Sequence, residues 1–98
     1  MRRELTFEWD PEKARTNVLK HGVSFDEAKT VFGDAAAVYL YDGPHSWHED
    51  RLIIIGKSAR RRVLFVAYVE RTDLTMRLIS ARRAMLHERR TYEEKAGE

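Results

Sequence analysis

The sequence predicts an α+β domain: a mainly antiparallel sheet with two N-terminal helices packed on it and a helix at the C-terminal end. Short apolar runs between turn signals mark five strands. Two helical stretches with clear start signals follow the first strand. The last four strands are joined by connections too short for crossovers, so they run as an antiparallel meander. The order is β-α-α-β-β-β-β-α. All 98 residues form one domain, since a chain this long buries roughly two thirds of its unfolded surface around one core.

Leu5-Thr-Phe-Glu-Trp9 alternates apolar and polar residues, as a half-buried strand does. Asp10-Pro11-Glu12 starts a helix: Asp10 can accept from a free first-turn amide, and Pro11 needs no donor there. Ala14, Val18 and His21 recur at helical spacing, and Gly22 is a left-handed stop. Ser24-Phe-Asp-Glu27 fits a capping box, with Val23 and Ala28 as a hydrophobic staple. Phe25, Ala28, Val31 and Phe32 form that helix's buried stripe, and Gly33 ends it. Trp9, Phe25 and Phe32 are expected in the core, not on a base-stacking platform. Strands are expected over residues 36–41, 51–58, 63–70 and 75–81. Residues 42–50 form a polar loop between the first two, and Ala59-Arg-Arg-Arg62 a basic turn. A basic helix closes the chain over residues 83–95.

Charge is unevenly placed. Residues 1–50 carry six Lys or Arg against ten Asp or Glu, and residues 51–98 carry twelve against six. The excess on the second half suggests a phosphate-rich partner, RNA or DNA, because guanidinium stays charged and its flat fork suits phosphate oxygens. The absence of cysteine excludes disulfides and thiolate chemistry. The four histidines fit no zinc spacing, and no paired carboxylates suggest bound magnesium. No cofactor or metal is expected. Nothing in the sequence resembles a signal peptide or membrane span, so a soluble cytoplasmic protein is expected.

Alternation puts Arg51, Ile53, Ile55 and Lys57 on one face of their strand, and Arg77 and Ile79 on one face of theirs. If those faces coincide, Arg51, Lys57 and Arg77 make a cationic patch with Arg82 and Arg83 at its edge. Such a patch suits metal-free RNA cleavage, in which the ribose 2′-hydroxyl attacks the neighbouring phosphorus. Cations steady the phosphorane, and an acid/base pair moves the protons. Candidates for proton transfer are His45, His48 and Glu49 in the loop, with Glu88 and Tyr92 on the last helix as acid, base or support. His48 and His87 read more readily as surface residues, and Glu49 as an ion-pair partner of Arg51 or Arg71. Arg60 and Arg62 in the basic turn are candidate RNA contacts.

The chain resembles the BrnT family, the toxin half of a bacterial toxin–antitoxin pair, with a fold similar to RelE-type ribonucleases. The likeness runs from about residue 7 to residue 92. It rests on Phe7-Glu-Trp-Asp-Pro-Glu-Lys13, Asn17, Lys20-His-Gly22 and Val23-Ser-Phe-Asp-Glu-Ala28. It continues through His45, Glu49-Asp-Arg51, Gly56-Lys-Ser58, Glu70-Arg71, Arg77-Leu-Ile-Ser-Ala-Arg82, Glu88-Arg89 and Tyr92. The order and spacing of these pieces carry the signal. The family often has Thr at Val69 and Arg at Lys57.

The resemblance implies a RelE-like, metal-independent endoribonuclease that halts translation. It also implies a neutralising BrnA-like antitoxin, through which alone the toxin would meet DNA. Its polar sites fall on His45, Glu49, Arg51, Lys57, Arg71, Arg77, Arg82 and Glu88. The expected roles are Arg82, Arg77 and Lys57 on the scissile phosphate, Glu49 or His45 as base, and Arg51 and Arg71 orienting substrate. Arg83, Arg60 and Arg62 would grip RNA further along. The competing readings are a non-catalytic nucleic-acid-binding module and a surface that only docks an antitoxin.

Overall fold

The computed structural model describes residues 4–46 and 48–97; residues 1–3, Trp47 of the polar loop and Glu98 lie outside the described residues. Among the described residues the elements are β1 (Thr6–Glu8), α1 (Pro11–His21), α2 (Phe25–Ala28), β2 (Val38–Tyr41), β3 (Arg51–Lys57), β4 (Val63–Glu70), β5 (Thr75–Arg83) and α3 (Leu86–Ala96). Two 3-10 segments, Lys29–Gly33 and Gly43–His45, flank β2. The five strands form one mixed sheet in the order β1-β5-β4-β3-β2; β1 runs parallel to β5 and every other pair is antiparallel. Among the described residues the fold is α+β with three helices.

Local chemistry explains most boundaries. Asp10 caps α1 by accepting from the Glu12 amide at 2.8 Å, and Gly22 ends it at φ 67°. Ser24 accepts from the Glu27 amide at 3.0 Å, but the Glu27 carboxylate turns away to Ser58 and Arg62, so the capping box is only half made. The second helix is correspondingly one turn of α-helix that tightens into 3-10 geometry. β2 begins at Val38, not at residue 36, because Asp34 takes the Ala36 amide and shapes a turn. The last helix begins at Leu86, not at residue 83: Arg83 still pairs with Leu64, so β5 is longer than expected.

Packing on the helix side joins Val23, Phe25, Ala28 and Val31 to Ile54, Leu64, Val66, Met76 and Leu78. Trp9 and Phe32 pack against this cluster, as expected of core aromatics. The α1 stripe differs from expectation. Val18 is 46% exposed, whereas Asn17 is buried. Its side chain donates to the Val23 and Ala81 carbonyls, both at 2.8 Å, and accepts from the Ala81 amide at 3.0 Å. A polar residue is tolerated there because its bonding groups are met. On the opposite face, Val38, Ile53, Ile55 and Ala67 gather with Tyr92 of α3. The helix covers only one end of that face, and the remainder carries the polar residues.

Candidate nucleic-acid interface

Strand register places four of the expected cations on this second face. Arg51 lies opposite Val69, which lies opposite Arg77. Ile55, Phe65 and Arg82 form another row, and Lys57 pairs with Val63 beyond it. Arg77 and Arg82 are an odd number of residues apart, so a regular strand would point them to opposite faces. A β-bulge changes the parity: Ala67 pairs with Ser80 and Tyr68 with Leu78, leaving Ile79 as the extra residue. The adjacent apolar pair Leu78-Ile79, which breaks the alternation, is the trace of that bulge in the sequence.

The cations nevertheless form two groups. The Val69 and Phe65 rows lie four positions apart on β4, about 13 Å along the strand. At one end stand Arg51, Arg71 and Arg77 with the loop that follows β2. That loop is held there by the Asp42 amide on the Arg51 carbonyl at 2.9 Å and the Arg51 amide on Ser46 Oγ at 2.9 Å. His45 Nδ1 lies 3.0 Å from both Asp42 carboxylate oxygens, and its Nε2 makes no bond among the described residues. Glu49 and Arg71, with Tyr41 and Glu70, line a cleft of about 420 Å³. Arg77 donates to Glu8 on neighbouring β1 at 3.1 Å. His48 is exposed on the same loop.

Arg82 anchors the other end. Its Nη1 and Nη2 donate to the two Glu88 oxygens at 2.8 and 2.9 Å, and Nη1 also reaches the Arg83 carbonyl at 3.2 Å. The guanidinium lies 4.1 Å from the Phe65 ring centroid. Held on both sides, it still has one free edge: Nε–H and the outer Nη2–H make no bond among the described residues, and they point the same way as a fork. Phosphate oxygens fit such a fork. Burial pushes the Glu88 carboxyl up, but hydrogen bonds from Arg82 and the Met85 amide, with the nearby charges of Arg82 and His87, outweigh it and leave it below the usual range. Glu88 is therefore ionised at neutral pH and holds Arg82 in place; it has no proton to give. Tyr92 is equally committed. Its hydroxyl donates to Asp34 at 2.6 Å, and burial together with that carboxylate pushes it up to about 12. Asp34 also accepts the Lys57 amide at 2.8 Å, which fixes the backbone beneath the Lys57 ammonium.

Two expected RNA contacts have partners inside the fold. Arg62 forms an ion pair with Glu27, which is only 4% exposed, and donates Nε to it at 2.9 Å. Arg60 lies 3.8 Å from the same carboxylate. The Arg62 bond is the leading cause that holds Glu27 below the usual carboxylate range. His87, which reads as a surface residue, is 77% exposed, and its Nε2 lies 4.0 Å from the Glu88 oxygen that binds Arg82. Spacing alone gave no signal for this, because it depends on where α3 starts. Among the described residues no group of three His, Cys, Asp or Glu could hold a metal ion, and no helix is long and apolar enough to cross a membrane.

A family model described as the ribonuclease toxin BrnT of type II toxin–antitoxin systems matches residues 9–88. Among solved structures, the ribonuclease toxin BrnT of Brucella abortus is similar, with a TM-score of 0.64 and 23% identity over 83% of this chain and 97% of that one. At that identity the likeness speaks for the fold. No curated protein matches the chain.

Proposed function

Because the chain belongs to the BrnT family of type II toxin–antitoxin ribonuclease toxins, we propose that it cuts single-stranded RNA without a metal, using the open face of its sheet. The observation that carries this reading is Arg82: a guanidinium fixed by Glu88 and Phe65 with an unoccupied fork. A donor already in position needs no reorganisation when charge develops on the phosphorane, which is the condition for strong transition-state stabilisation.

In the proposed reaction the 2′-oxygen bonds to phosphorus and the bond from phosphorus to the 5′-oxygen breaks. The 2′-proton passes to a base, and the departing 5′-oxygen takes a proton from an acid. A general base must lie within hydrogen-bond reach of its proton. His45 and Glu49 stand at the far end from Arg82, so they serve a phosphate held by Arg51 and Arg77. Near Arg82, with Glu88 committed to holding the guanidinium, the side chain left to move a proton is His87, whose Nε2 lies 4.0 Å from a Glu88 oxygen. The proposed scissile position is at Arg82 with His87 moving a proton, Lys57 as a phosphate contact, and the loop end gripping the strand further along. The test is incubation of the pure chain with total RNA in chelator beside Arg82→Ala. Cleavage by the wild type and strong loss in the variant are expected; equal cleavage by both rejects the assignment.

A second reading, a binding module that does not cut, is favoured by the distance between Arg82 and the loop's acid/base candidates. It predicts salt-sensitive RNA binding with no scission. The wider assignments complete the proposal: a RelE-like kinship, arrest of translation in the cytoplasm, and neutralisation by a BrnA-like antitoxin that supplies any contact with DNA.

A further inference from the structure

Beyond Arg82, the β3–β4 hairpin and α3 enclose a cleft of about 710 Å³. Its walls include Lys57, Arg61, Arg62, Arg83, Arg89 and Tyr92. Arg62 is held by Glu27, and Arg89 lies 3.7 Å from Glu93. Lys57, Arg61 and Arg83 are exposed and form no ion pair among the described residues. Arg61 adopts φ 65°, a left-handed conformation that disfavours a residue with a β-carbon. A cation thus occupies a turn position where glycine would fit with less strain, and backbone outliers of this kind point toward function. The turn is also rigid. Ser58 bonds Glu27 at 2.7 Å, and the Ala59 amide bonds Thr30 at 2.8 Å. Arg61 is therefore carried on a pinned hairpin.

We propose that this cleft is a second backbone subsite, one that takes phosphates of the RNA strand beyond the bond cut at Arg82. The inference rests on the ribonuclease reading for its choice of ligand. It needs only charge and position, so it binds without regard to base. RNA is favoured over an acidic protein segment because Lys57 lies one row beyond Arg82 on the same face. A strand leaving the Arg82 fork in that direction runs into the cleft.

The test uses the full chain and a fluorescent, uncleavable 2′-O-methyl oligouridylate, as a dodecamer and as a dinucleotide, titrated at several salt concentrations. Each lost phosphate contact should flatten the plot of log affinity against log salt by about 0.7 on a single strand. Arg61→Gly should show that change with the dodecamer and not with the dinucleotide, and Arg61→Gly with Arg83→Ala should show about twice it. Arg61→Gly also relieves the left-handed strain, so its urea midpoint should rise while its RNA affinity falls. A merely structural role moves both in the same direction. Lys20→Ala, the same charge loss on α1, should leave the slope unchanged. A wild-type slope in Arg61→Gly overturns the proposal. So does an oligoglutamate peptide whose binding depends on Arg61 while RNA binding does not. If the wild type shows the Arg61-dependent slope yet cuts no RNA, the subsite stands and the ribonuclease reading falls.

Discussion

Arg82→Lys keeps the charge and removes the fork. In the fold, two charge-assisted bonds to Glu88 at 2.8 and 2.9 Å become at most one. Hydrogen bonds to charged groups contribute about 1.5–3 kcal/mol, and the 28% exposure of the Arg82 side chain discounts that to about 1–2 kcal/mol. A domain with a typical 5–15 kcal/mol of stability stays folded after such a loss. In the reaction, losing the Nε–Nη2 edge resembles the loss of one oxyanion donor, about 10²–10³-fold in rate. The two effects separate experimentally. Urea unfolding reads the first, and single-turnover cleavage of labelled RNA at saturating protein, with chelator present, reads the second. RNA affinity should change little, because the charge remains. If the lysine variant cleaves within about threefold of wild type at saturation, the fork has no part in the transition state. If its rate recovers simply on adding more protein, Arg82 contributes only to binding.

Arg62→Ala should destabilise the domain by about 3–5 kcal/mol, since it leaves the Glu27 carboxylate buried without its main partner; a urea midpoint near wild type would return Arg62 to the RNA surface. Glu27, Asp34 and Glu88 are all held below their usual range. Their contribution is intact above the unfolded values near pH 4 and is lost as pH falls through the lower folded values, so urea stability should hold from neutrality to about pH 5 and then drop. Tyr68 and Tyr92, pushed up to about 12 chiefly by burial, act with the opposite sign: their contribution is complete below about pH 10 and lost as pH climbs toward 12. His87→Gln should slow cleavage and respond to added imidazole; cleavage at the wild-type rate assigns proton transfer elsewhere.

The strands, the caps of α1 and the core aromatics were legible in the sequence because they are set by local periodicity and capping chemistry. Gly22 and Asp10 act within a few residues of themselves, and the meander follows from short connections. Asn17 was not legible as a core residue: its partner strand lies 64 positions away. The cationic face was only half legible. Alternation gave Arg51 with Lys57, but the pairing of Arg77 with Arg82 depends on a bulge that reverses the parity between them. The roles of Arg60 and Arg62 were hidden for a similar reason. A basic turn reads as a surface feature until Glu27, remote in sequence, is seen beneath it. Charge composition reveals how many cations exist, and only the fold reveals which already have partners.

The central claim is that fixed guanidinium groups let the RNA's own ribose break the strand. The ends left by the cut report this directly. After digestion of a defined oligoribonucleotide by the pure chain in excess chelator, mass spectrometry should find a 2′,3′-cyclic phosphate, or the 3′-phosphate it opens to, opposite a 5′-hydroxyl. Fragments carrying a 5′-phosphate and a 3′-hydroxyl would show that water, not the neighbouring hydroxyl, attacked phosphorus, and would contradict the mechanism.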